Sequence, residues 1–114
     1  MTPEEMFQVL STAAAYDARL TPPTKADAMV RARAWAAAVP EAMPVDLAME
    51  TVVKHYSRTR DQIMPADLNE AYRIRRDRDR AELEAAERAS GERGVPMPEH
   101  VRQQFQALMA RSRA

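Results

Sequence analysis

The sequence predicts an all-α protein: a small four-helix N-terminal bundle whose last helix extends into a charged arm, followed by a short C-terminal amphipathic helix. Three observations predict it. Apolar residues recur at spacings of three and four, the period of one helical face. Cap residues and prolines bracket each such run. The apolar fraction is 46%, yet mean hydropathy is negative because much of that fraction is alanine, the strongest helix former and a thin core filler.

Thr2, Pro3 and Glu5 read as N-cap, first helical residue and capping-box partner. Met6, Val9, Leu10 and Ala13 then recur at helical spacing, with Phe7 and Tyr16 beside them, until LTPP at Leu20–Pro23 ends the run. Thr24, with Asp27 three residues on, caps a second helix. Ala28, Ala32, Trp35, Ala36 and Val39 form its stripe, and Pro40 stops it. A third segment opens at Met43 and Pro44, with Asp46 placed to favour the positive end of the helix dipole. Its stripe is Met49, Val52, Val53 and Tyr56, and SRTRDQ from Ser57 to Gln62 is a polar connector. Met64, Pro65 and Asp67 start the fourth helix, whose Leu68, Ala71, Tyr72 and Ile74 can face the core.

Beyond Ile74 the apolar stripe lapses until Leu83, and Asp79 and Leu83 are expected to bury nothing. Arg73 to Gly94 carries seven basic and six acidic residues, so local ion pairs can sustain helix where no core does. SGERG, from Ser90 to Gly94, holds both glycines and reads as a linker. Pro96 and Pro98 launch the last helix, where Val101, Phe105, Leu108 and Met109 lie on one face. The expected divisions are 1–75 for the bundle, 76–94 for a charged spacer and linker, and 95–114 for the amphipathic helix. MPVDL at Met43, MPADL at Met64 and MPEHV at Met97 share helix-start chemistry, but their spacings of 21 and 33 residues rule out a repeat architecture.

Composition narrows function. A chain of 114 residues with 17 basic and 17 acidic side chains lacks the basic excess of a duplex-coating protein. Without cysteine there is no disulfide framework, thiolate nucleophile or cysteine-based zinc site, and two glycines cannot build a phosphate loop. No membrane span or signal peptide is evident, so a cytoplasmic location is expected. His55 and His100, 45 residues apart, have no second ligand at metal spacing. No metal, no cofactor and no enzymatic activity are therefore expected.

Two stretches remain as candidate sites. Arg73, Arg75 and Arg76 precede the interleaved acids and are the one segment suited to phosphate contact. Tyr16, Trp35 and Tyr56 could form a stacking platform for bases, but each lies on or beside an apolar stripe and fits core packing. Val101, Phe105, Leu108 and Met109 need a surface to cover, since a short helix cannot sustain itself. They either pack on their own protein or enter a groove of another.

The Tyr16 near the end of helix one, the Trp35 of helix two, the His55-Tyr56 pair and the Pro65-Ala66-Asp67-Leu68 helix start together resemble the phage replicative helicase loader/inhibitor family, over about residues 3 to 75. The resemblance implies a non-enzymatic replication adaptor in the bacterial host cytoplasm that binds a hexameric DnaB-type helicase. It also implies an N-terminal domain associated with an origin-binding initiator and a C-terminal part associated with the helicase. Assigning helicase contact to Val101, Phe105, Leu108 and Met109 rests on their spacing. The alternatives are a small DNA-binding regulator using the Arg73–Arg80 segment and a self-associating helical interaction protein.

Overall fold

Cap chemistry places the helix boundaries. A computed structural model describes residues 1–93 and 99–113. The protein is all-α; the described residues form five α-helices, α1 (Pro3–Tyr16), α2 (Lys25–Ala38), α3 (Val45–Arg58), α4 (Pro65–Arg93) and α5 (Glu99–Arg113), and one 3-10 turn at Ala18–Leu20. No strand occurs among the described residues. Thr2 caps α1 in a complete capping box: its hydroxyl accepts from the Glu5 amide at 3.1 Å, and the Glu5 carboxylate accepts from the Thr2 amide at 2.9 Å. That backbone donor holds the Glu5 carboxyl below its ordinary value. Thr24 caps α2 through the Asp27 amide at 3.1 Å. At α4 the Asp67 carboxylate reaches back to accept from the Met64 amide at 2.8 Å. Pro44, in contrast, heads α3 without any side-chain cap. The third Met-Pro start, at Met97, lies outside the described residues, as do Pro96, Pro98 and Gly94.

The chain divides into two compact units, Met1–Tyr72 and Arg73–Ala114, so that α4 contributes to both. In the first unit α1 packs against α2 and α3. Met6, Val9, Leu10 and Ala13 are the buried face of α1, as their spacing predicts, and they meet Ala32, Val39, Ala48 and Val52. Leu68 and Ile63 close this core, both fully buried. Trp35, Tyr56 and Tyr72 pack half-buried against it.

Three expectations are corrected here. Val53 is 47% exposed, because the buried face of α3 runs through Leu47, Ala48 and Val52 and leaves Val53 turned about 100° away. Ile74 is 54% exposed, having passed the end of the first core. The first helix stops at Tyr16 instead of continuing to LTPP, because Asp17 adopts an extended backbone and a 3-10 turn follows. Leu20, expected to mark the break, is itself a core residue, 2% exposed.

In the second unit the helix continues where a linker is expected: Ser90–Arg93 are helical. Gly91 is exposed, and a Cβ built on it meets nothing within 4 Å. Gly91→Ala is therefore expected to stabilise the end of α4 by about 0.5–1 kcal/mol, since alanine forgoes the backbone entropy that glycine loses in a helix. Slower amide exchange across 88–93 in the variant is the measurement. Unchanged exchange would mean that this turn does not hold helix in solution.

Candidate interaction site

The end of α1 is organised around one carboxylate. Asp17 is 7% exposed and sits where the helix dipole disfavours negative charge. Its partners compensate. Arg19 binds it bidentately, Nε to Oδ1 and Nη2 to Oδ2, each at 2.9 Å. The Arg19 amide donates to Oδ1 at 3.1 Å, and the Tyr56 hydroxyl donates to Oδ2 at 2.7 Å. Tyr56 in turn accepts from the Ile63 amide at 3.2 Å, and Arg19 donates to the Arg60 carbonyl. The Arg19 guanidinium, followed by the Tyr56 hydroxyl, pulls the Asp17 carboxyl down to about 2. Burial pushes the Tyr56 hydroxyl up from its ordinary value. These bonds fasten α1, α3 and the connector to α4 around the carboxylate.

The aromatic and histidine residues fall into structural places. Tyr16 is 56% exposed, off the core face where it was expected to pack, and stacks on Tyr56 with ring centroids 5.9 Å apart and planes 14° off parallel. Trp35 packs on the core instead of joining them. His55 lies edge-on to Tyr56, and its Nε2 is 2.6 Å from the Asp61 carbonyl oxygen, so that nitrogen carries the hydrogen in the contact. His100 is exposed. Among the described residues no cluster of three histidine, cysteine or acidic side chains is placed to hold a metal ion, and no helix is long and apolar enough to cross a membrane.

Beside this cluster the first unit carries a half-open trough of about 420 Å³ between α1, the 3-10 turn and the start of α2. Phe7, Leu10, Ala14, Leu20 and Ala28 make it apolar. Pro22 and Pro23 also line it, with fixed φ angles and no amide to satisfy. Lys25 and Arg31 supply its charge. Arg31 is half-buried and donates from Nη1 to the Leu20 carbonyl at 2.8 Å. The sequence alone does not show this trough, because LTPP reads only as a helix stop. Asp17 was missed as well, although an aspartate at a helix C-terminus two residues ahead of an arginine was the available signal.

In the second unit both candidate stretches acquire neighbours. Arg73 Nη1 is 3.4 Å from Asp77 Oδ2, Arg75 is half-buried and Arg76 is exposed. Along the arm, Arg75, Asp79, Leu83, Ala86 and Ser90 are less exposed than the residues between them, at the spacing of one helical face. Asp79, expected to bury nothing, is 6% exposed. On α5, Leu108 is 6% exposed and Val101, Phe105 and Met109 are half-buried. Arg111 of α5 reaches within 3.9 Å of Asp79, which places Arg111 beside the arm. The Arg78 guanidinium is 3.8 Å from the same Oδ1, which accepts no hydrogen bond. Both ion pairs are long and their arginines are more than half exposed, so they contribute little.

Comparison with protein-family models, curated proteins and solved structures finds no match for this chain.

Proposed function

We propose that the chain is a non-enzymatic cytoplasmic replication adaptor that binds a DnaB-type replicative helicase through α5, with an origin-binding initiator as a further partner of the first unit. The observation that carries this reading is the state of the α5 stripe. Leu108 is buried while Val101, Phe105 and Met109 keep part of their surface, and α5 shares its unit with a charged arm whose one large aliphatic side chain after Ile74 is Leu83. An arm so poor in apolar surface stabilises α5 weakly, so a partner groove can compete for it. The likeness to helicase loaders over about residues 3 to 75 supports the choice of partner.

The adaptor works by occupancy: binding through α5 favours one helicase conformation, and release follows when DNA and the initiator compete. The DNA-binding alternative is weakened by the Arg73–Asp77 pair and by the interleaved acids, which leave little net charge for counterion release. Phe105→Ala combined with Leu108→Ala in the full chain is expected to weaken capture of a DnaB-type helicase by about tenfold or more, because two aromatic and aliphatic anchors are lost together. Full binding after removal of residues 95–114 would overturn the assignment to α5.

A further inference from the structure

We infer that the trough between α1 and α2 is a docking site for an acidic amphipathic helix of a partner protein. This rests on the adaptor reading and adds a second contact surface to it, separate from α5. The first argument is charge. Lys25 and Arg31 are the two ionisable residues lining the trough, both cationic, and among the described residues neither is ion-paired with a carboxylate. Arg31 spends one nitrogen on the Leu20 carbonyl, which holds its guanidinium in place and leaves its other N–H groups to bind an anion. A half-buried arginine beside apolar surface favours a carboxylate partner more strongly than an exposed one does.

The second argument is form. A site for a small molecule encloses most of its ligand. This trough is only half enclosed, as a groove is that receives one face of a helix and leaves the other to solvent. Its apolar residues come from two helices and the turn between them, and Pro22 and Pro23 hold that turn without backbone donors. The trough is therefore preformed and needs little ordering on binding. Thr24 and Asp27 do not compete for the incoming acid: Asp27 is exposed, its carboxylate accepts from the Thr24 hydroxyl at 2.9 Å, and it does not line the trough. The occupant is thus a helix with apolar anchors at i, i+4 and i+7, followed by glutamate or aspartate.

The test uses the full chain and a fluorescein-labelled stapled helix bearing leucines at i, i+4 and i+7 with glutamates beyond the last leucine. A second probe carries lysines in place of the glutamates, and dodecanoate serves as a third. Expected results are binding of the acidic helix, chemical-shift changes at Phe7, Ala14 and Ala28, and affinity at least about fivefold weaker for the basic helix. Lys25→Gln with Arg31→Gln should erase that preference. Ser11 is exposed and lines the trough, so Ser11→Glu should weaken the acidic probe and Ser11→Lys strengthen it, in variants whose core is untouched. Equal binding of the two helices, insensitivity to the Ser11 pair, or shifts located elsewhere would overturn the proposal. Dodecanoate binding without helix binding would also overturn it and identify a small-ligand site. Helicase capture through α5 is read separately, so loss of either result leaves the other standing.

Discussion

Leu68→Ala is expected to lower the unfolding free energy of the first unit by about 2–5 kcal/mol, the range found where a fully buried leucine leaves a cavity. Leu68 has no exposed surface and is the residue through which the start of α4 enters the core of α1, α2 and α3. The loss is large for a unit of this size, since whole domains are stable by only about 5–15 kcal/mol. Trp35, the single tryptophan, packs on this core, so urea denaturation followed by its fluorescence reads the first unit directly. Ile74, six residues further along α4 and 54% exposed, provides the contrast: Ile74→Ala should change stability by no more than about 0.5 kcal/mol. Comparable losses at the two positions would mean that the core extends beyond Tyr72.

Asp17→Ala is expected to destabilise the protein more than Tyr56→Phe. Removing the Tyr56 hydroxyl costs about 1–2 kcal/mol, because it strips one donor from Asp17 and leaves the Ile63 amide without its acceptor. Removing the carboxylate deprives Tyr56 of its acceptor, leaves Arg19 only the Arg60 carbonyl and frees the 3-10 turn. The pH dependence follows with a definite sign. The folded carboxyl lies at about 2, below its ordinary value of 3.8, so the unfolded chain binds the proton more readily. The stabilisation is present in full above about pH 4 and is lost as pH falls through 4 toward 2. Urea midpoints measured between pH 2 and pH 5 should fall steeply with acid for the native protein and less steeply for Asp17→Asn. Parallel curves would show that Asp17 does not link the helices in solution.

How far these sites were legible in the sequence depends on whether neighbours along the chain or across it create them. The caps at Thr2, Thr24 and Asp67 are local, three residues wide, and could be read directly. The faces of α1 and α2 were equally plain because one strong period governs each. In α3 the apolar residues wrap too far round the helix for periodicity to select between Val52 and Val53. The packing of α1 against it decides. The arm misled for a related reason: interleaved charges hide the spacing of Arg75, Asp79, Leu83, Ala86 and Ser90, a face that becomes apparent only from their lower exposure in the folded chain. Of the candidate site residues, the α5 stripe was readable from its own spacing. Lys25 and Arg31 were not, because they are six residues apart and become a pair only where Leu20 and the prolines bring a wall beside them.

What the sequence by itself determined is therefore the helical class, where most helices begin, and the amphipathic face of α5, since these depend on hydrogen bonds and periodicity within a few residues. What tertiary structure alone decided is which side of α3 is buried, that Asp17 joins three segments, that the arm carries a less exposed stripe, and that a cationic trough lies between α1 and α2. Each of these needs groups far apart in the chain to meet. Burial and charge pairing act through space, so residues such as Tyr56 and Asp17, 39 positions apart, acquire their roles only on folding.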